Sequence, residues 1–373
     1  MKSLTVIAAG LGYRLLERHN LLSVAGLAFG PKQSVFPAVT CTAQAALRTG
    51  LSPSETGMIS NGHWSETFRK PLFWEQSARL VSGRRVWADR RAAGGTVGVF
   101  FFQQSLGEEA DAIISPAPIH KHGGGMIMSC YTQPTGMAGV LEKLCGKFPL
   151  WRYWGPLASP KVGRMCISYF EEMTNVHDVD EAYLYLPTLD YAAQRNGPDS
   201  SAAKAALKEF CRQLERLADI CMRRGCALKV MGDYEITAVS AAPEQPNVTL
   251  RRQGFFKTRM VGGMAYPDFY QSTAFAMCDH EFCVLCGERR EAAADALLAT
   301  GGYVRTDDPR ILLAREGSWC GYEWWTDRRE APDFASHVDI HNKPGYDPKE
   351  LFFFNRGEVK GTHGRACEIA CGE

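Results

Sequence analysis

Four short apolar runs, at residues 4–9, 96–102, 182–186 and 227–231, each close on a turn or polar residue. They are too short for membrane spans or long buried helices, and they read as strands covered on both faces, the pattern of a parallel sheet. Between the last two, Leu207, Phe210, Leu214, Leu217 and Cys221 recur at helical spacing over residues 201–224, and Gly225 supplies a stop. Helix followed by strand is part of a βαβ crossover, so the alternation predicts an α/β fold with a mostly parallel central sheet. Residues 241–325 are less regular, with Pro243, Pro246, Pro267 and a short Ala-rich helical stretch at 291–300. They predict an inserted subdomain or lid within a single domain spanning 1–373.

Charge and cysteine usage narrow the class of ligand. The 373 residues hold 42 Lys plus Arg against 41 Asp plus Glu, a formal net charge of +1. A chain of this size buries a sizeable core without disulfides, and its near-neutral surface has no broad field for a nucleic acid polymer or an anionic membrane. A small ligand at a local site is expected. The 13 Cys run from Cys41 to Cys371 without the density of a secreted scaffold, which predicts reduced thiols. Cys283 and Cys286 form one CxxC, but no second pair follows at zinc-ribbon spacing. The apolar run after Met1-Lys2-Ser3 is followed by Arg14, Glu17 and Arg18. It is read as a first strand rather than a signal peptide, which predicts a cytoplasmic enzyme with no membrane partner.

Ligand-binding groups of open α/β sheets gather at the carboxyl ends of strands. Ala9-Gly10-Leu11 follows the first predicted strand, Asp190 the third, and Asp233-Tyr234 the fourth. Two acids from separate strands thus converge on one sheet edge, where a hard or borderline cation would neutralise them.

Four segments then recur in a familiar order. Residues 36–51 run Phe-Pro-Ala-Val-Thr-Cys-Thr and end Thr49-Gly50-Leu51, and Pro53, Gly57, Met58, Ile59, Ser60 and Asn61 follow. Asp190, Gln194, Gly197 and Pro198 form a second segment, Gly232-Asp233-Tyr234 a third, and Gly361-Thr362-His363-Gly364 a last one. Together they resemble the nucleotide pyrophosphatase/phosphodiesterase branch of the alkaline phosphatase superfamily, over nearly the whole chain. The resemblance implies an alkaline-phosphatase-like three-layer α/β sandwich and a metal-dependent hydrolase of phosphoric esters. It makes Thr40 the nucleophile, Asn61 a donor to a phosphoryl oxygen, and Asp190, Asp233 and His363 metal ligands, with zinc the expected ion and manganese an alternative. One or two ions are implied. The register of the sulfatase nucleophile also lands on Thr40, not Cys41. A hydroxyl at a helix N-terminus beside a cation suits attack on phosphorus, although Thr40 or Thr42 as a simple helix cap remains the alternative.

Three expected ligands are replaced. The first-strand Asp is Ala9, the His of the second motif is Gln194, and the His after the later Asp is Tyr234. A neutral amide oxygen and a phenol are weak zinc ligands. Substitutes could come from His280 in Asp279-His280 or His341 in Asp339-Ile340-His341. The run 343–348 beside His341 is similar to a bacterial phosphodiesterase-like subfamily in which Gln and Tyr at the swapped positions are usual. A one-metal site, or a metal-free member that binds a phosphorylated or sulfated small molecule for a biosynthetic partner, are the other outcomes. His120-Lys121-His122 is read as a surface loop, the pairs Arg84-Arg85, Arg90-Arg91 and Arg251-Arg252 as solvated charge, and Trp324-Trp325 as core.

Overall fold

The computed structural model describes residues 1–122, 125–337 and 359–373, which gather into two compact units. The first takes in Met1–Met58, Gln76–Ile236 and Ala366–Glu373; the second takes in Ile59–Glu75 and Thr237–Arg365.

The first unit is built on a nine-stranded sheet of described residues. Its strands are β1 (Ser3–Ala8), β2 (Ser23–Val24), β3 (Leu27–Gln33), β4 (Val97–Phe100), β5 (Ala112–Pro116), β6 (Cys130–Gln133), β7 (Glu181–Leu186), β8 (Ala227–Gly232) and β9 (Glu368–Gly372), in the order β6-β5-β4-β7-β1-β8-β9-β3-β2. The five strands from β5 to β8 run parallel, and antiparallel strands close both edges. This is the mixed α/β, mostly parallel arrangement of the alkaline-phosphatase-like fold. Every residue of β4 and β5 is buried, and strands covered on both faces read in sequence as unbroken apolar runs. The helix Ser201–Arg224 opens on Ser200, whose hydroxyl accepts the Ala203 N–H at 3.1 Å, and stops at Gly225 in the left-handed conformation. It packs against β8 and the helix Val162–Val176.

The register aligns Ala8 of β1 with both Leu186 of β7 and Gly232 of β8. The carboxyl ends of the three strands are therefore level. Gly10 turns the chain after β1 with φ of +72°, and at Gly232 any Cβ would overlap the Leu11 carbonyl oxygen. That close approach requires glycine immediately before Asp233.

The second unit holds a four-stranded antiparallel sheet in the order Phe275–Asp279, Phe282–Cys286, Ile311–Ala314, Tyr303–Arg305. The sequence predicts little regular structure here. The two strands of its hairpin are buried along their whole length, so no polar alternation marks them, and Cys, Asp and His interrupt the apolar signal. Trp324 and Trp325 lie in this unit's core, as expected, with rings 5.2 Å apart. Cys283 and Cys286 sit three apart on one strand and so project to opposite faces, which removes them as a shared metal pair. No helix of the described residues is long and apolar enough to cross a membrane.

Candidate active site

In the first unit, Thr40 occupies the first position of the helix Thr40–Thr49. Capping falls to Thr42, whose hydroxyl accepts the Val39 N–H at 3.3 Å and donates to the Pro37 carbonyl at 2.5 Å. Thr40 is left for other partners: the phenols of Tyr185 and Tyr234 both hydrogen-bond to its side chain. Burial, above all, drives both phenols far above their ordinary pKa; Asp233 adds most to the rise at Tyr185 and Asp190 at Tyr234. Both remain neutral O–H groups near pH 7, which makes Tyr234 a poor anionic metal ligand.

The far end of the helix Thr40–Thr49 is anchored in the core. Arg48 is fully buried; its guanidinium donates to the Gln104 carbonyl at 2.7 Å and to Glu108 Oε2 at 3.0 Å, while Arg85 Nε donates to Glu108 Oε1 at 2.9 Å. Burial lowers the Arg48 pKa to about 10 despite Glu108. Arg85, read from sequence as solvated charge, is instead nearly enclosed, because its neighbour in space is a buried carboxylate 23 residues away.

Asp190 and Asp233 stand beside the two phenols that bond Thr40. Asp190 opens the helix Asp190–Asn196, and Gln194, one turn on, donates its amide N–H to Asp190 Oδ1. Asp233 Oδ1 accepts the N–H of Gly10 at 3.0 Å and of Tyr234 at 2.9 Å. The turn after Ala9, where the family carries an acid, thus supplies a backbone donor. Asp233 is held well above the usual carboxylate range, first by burial and then by Asp190, with the Gly10 N–H opposing. Among the described residues Asp233 Oδ2 and Gln194 Oε1 are buried without a hydrogen-bond partner.

These two oxygens are the test of whether a cation fits. With Asp190 and the Thr40 hydroxyl they offer oxygen atoms alone, the donor chemistry of a hard divalent cation. Within this unit it is not the imidazole-bearing set of a zinc pair. Among the described residues no group of three or more His, Cys, Asp or Glu side chains is arranged to hold a metal ion.

Asn61, His280 and His363 belong to the second unit, and there they join Asp279 in a polar cluster. The Asn61 backbone N–H donates to Asp279 Oδ2 at 2.7 Å and its side-chain amide to Asp279 Oδ1 at 3.0 Å. His280 Nε2 lies 3.6 Å from the same carboxylate, and its ring centroid is 3.6 Å from that of His363. Glu281 completes the hairpin tip: Thr237 Oγ1 and the Arg365 N–H donate to its carboxylate, each at 3.1 Å. His341, with Asp339 and the run 343–348, lies outside the described residues.

Two partners escaped the sequence reading. Tyr185 sits inside an apolar run, where a phenol carries no distinguishing signal; its position near the carboxyl end of β7 was the available clue. Asp279 was read as a metal-ligand neighbour, and its pairing with Asn61 spans 218 residues.

The sequence pattern of the type I phosphodiesterase/nucleotide pyrophosphatase family matches residues 22–347. No curated protein matches the chain. Murine ectonucleotide pyrophosphatase/phosphodiesterase 5 superposes with a TM-score of 0.59 at 15% identity, covering 100% of this chain and 88% of that one. Phosphonoacetate hydrolase from Sinorhizobium meliloti, in complex with phosphonoformate, gives 0.62 at 14% identity, covering 100% and 89%. At such identities the structural similarity speaks for the fold, while the sequence pattern covers most of the chain. The chain belongs to the type I phosphodiesterase/nucleotide pyrophosphatase family of the alkaline phosphatase superfamily, a family of phosphodiesterase- and pyrophosphatase-type hydrolases.

Proposed function

We propose that the chain hydrolyses small phosphoric esters, phosphodiesters or nucleotide pyrophosphates, by attack of Thr40 Oγ1 on phosphorus. The observation that carries this reading is Thr40 itself: a helix-initial hydroxyl released from capping, bonded to two neutral phenols and flanked by two buried carboxylates. The amides of the helix N-terminus favour negative charge at that end. As the Oγ1–P bond forms, the P–O bond to the ester oxygen breaks, that oxygen leaves with the electron pair, and the Thr40 hydroxyl proton passes to it through solvent, while the hydrogen bonds between Thr40 and the phenols of Tyr185 and Tyr234 hold the attacking side chain in place. Water then attacks the phosphothreonine, releasing phosphate or a monoester and restoring Thr40. In the family pattern Asn61 donates to a non-bridging phosphoryl oxygen. A divalent cation, held by Asp190, Asp233, Gln194 and Thr40, would lower the pKa of the Thr40 hydroxyl and screen the developing charge. The oxygen donors favour manganese over zinc there, whereas His363 is the family's imidazole ligand and keeps zinc in play.

The replaced ligands at Ala9, Gln194 and Tyr234 support one other reading, a binding protein on a hydrolase fold. The two separate in one experiment. Purified protein is assayed for bound metal, then for hydrolysis of bis-nitrophenyl phosphate and nitrophenyl phosphate with and without added manganese or zinc. Acid-quenched samples are searched for phosphate on Thr40 by mass spectrometry. An inactive form of the murine relative was solved with AMP, so nucleotide esters are the first natural substrates to try. Metal-stimulated turnover with phosphate on Thr40 supports the enzyme; neither metal uptake nor turnover leaves the binding protein.

A further inference from the structure

The helix Ser201–Arg224 of the first unit ends in a backbone motif that brings two cysteines together. The Cys226 N–H donates to the Cys221 carbonyl at 3.0 Å and the Gly225 N–H to the Met222 carbonyl at 3.3 Å, with Gly225 in the left-handed conformation. These two bonds make a Schellman stop, which sets the side chains of its first and sixth residues close, frequently as an apolar contact. Here both residues are cysteines, and their thiols hydrogen-bond to one another. Both are free. Cys221 is 3% exposed and belongs to the core, whereas Cys226 is partly exposed at its edge. Directly after Cys226, the Ala227 N–H donates to the Lys2 carbonyl at 3.0 Å and ties the segment to the sheet. Another thiol contact, Cys283 with Cys320 in the second unit, is fully buried on both sides, so an oxidant reaches it only on unfolding.

We propose that Cys221 and Cys226 are a reversible disulfide-forming site that takes small-molecule disulfides as its oxidant, with Cys226 the entry thiol and Cys221 the resolving one. Sulfurs already in hydrogen-bond contact need only a small approach to reach bonding distance. Four residues separate the two cysteines, so closing the ring orders little further chain. In the first step Cys226, its proton given to solvent, attacks one sulfur of the small disulfide; that S–S bond breaks and one thiolate leaves. Cys221 then loses its proton to solvent and attacks Cys226 Sγ, expelling the second thiolate. The pair is oxidised by two electrons, and the small disulfide is reduced to two thiols. Exposure fixes the order, because an incoming disulfide meets Cys226 first. Burial, and then the hydrogen bond with Cys226, holds the Cys221 thiol above its ordinary pKa, which keeps it protonated and unreactive toward reagents in solvent. The product ties the last helical turn to the residue that enters β8, and an excess of small thiol reverses it. The site lies outside the phosphoryl chemistry proposed above and is tested without it.

The test uses the folded full-length protein, incubated with mixtures of reduced and oxidised glutathione, after which the remaining thiols are capped with N-ethylmaleimide. Trypsin cuts after Arg223 and Arg224, between the two cysteines. Mass spectrometry therefore reads the bond as residues 217–223 joined to residues 225–229, released by dithiothreitol. That linkage is expected to form at least about 10-fold more favourably in folded wild type than in the guanidinium-unfolded chain at the same glutathione ratio. Cys221→Ser is expected to stop at glutathione on Cys226, and Cys226→Ser to leave Cys221 with neither glutathione nor a cross-link. Two capped thiols in the oxidised, folded wild type overturn the proposal, as does a linkage no more favourable folded than unfolded. Glutathione on Cys221 in folded Cys226→Ser overturns the assigned order. Should a serine variant fail to fold, the order is read on wild type from the mixed disulfide that accumulates first: on Cys226 it supports the assignment, on Cys221 it overturns it.

Discussion

Asp233 in the first unit and Asp279 in the second are both buried, at 1% and 0% exposure, yet their carboxylates are used differently. Asp279 has both oxygens gripped by a single residue, Asn61. Asp233 has one oxygen held by two backbone amides and the other buried with no partner among the described residues. A buried carboxylate is costly until something satisfies it. Where a neighbouring amide does so permanently, the carboxylate serves as scaffold. Where an oxygen is left over, its burial stays a cost that any bound positive charge would offset. The same residue type is therefore satisfied by one neighbour in the second unit and only half satisfied in the first.

The comparison can be broken at several points, and the largest expected effect lies at Thr40, the proposed nucleophile. Thr40→Ala should lower kcat by at least about 10³-fold while leaving the melting temperature nearly unchanged and weakening cation binding less than the loss of a carboxylate does; turnover within 10-fold of wild type would move the chemistry elsewhere. The Asp233→Asn variant sharpens the contrast with Asp279 directly. It should weaken manganese binding, read by calorimetry, by about 10-fold or more, yet raise the melting temperature of the cation-free protein at pH 8 by a few degrees. The pH dependence follows from the raised carboxyl. A group whose folded pKa lies above its unfolded value contributes stability that is full below the unfolded value, roughly pH 4 for an Asp, and is lost as pH rises through the folded value. Cation-free wild type should therefore lose stability between acidic and mildly alkaline pH relative to Asp233→Asn, and parallel stability profiles would refute the claim. The smallest effect is expected from Tyr185→Phe: about a 10-fold loss in kcat, with Tyr234 still bonded to Thr40, and no loss of cation affinity.

Much of the first unit was legible in the order of its residues. The β4 run is apolar because both its faces are covered, β1, β7 and β8 are buried toward their carboxyl ends, and the segments ending in Thr49-Gly50-Leu51 and Gly232-Asp233-Tyr234 keep their identity over short spans. Separating Thr42 as the cap from Thr40 required the hydrogen bonds, since both are helix-initial hydroxyls of the same type. The sheet of the second unit was not legible, because full burial erases the alternation that marks a half-buried strand. Arg85 and Tyr185 were misjudged or overlooked for a related reason: their roles depend on Glu108 and Thr40, which chain proximity does not single out.

The amino-acid sequence alone determined the strands, the long helix between Ser200 and Gly225, and the positions of Thr40, Asp190, Asp233 and His363 within a known motif order. Those features depend on periodicity and turn chemistry, which act over a few residues. Only the tertiary structure decided which oxygens of Asp233 and Gln194 remain open and that Asp279 is bound to Asn61. Hydrogen bonds across hundreds of residues depend on how packed elements meet, and no local pattern encodes which of two buried carboxylates will find a donor.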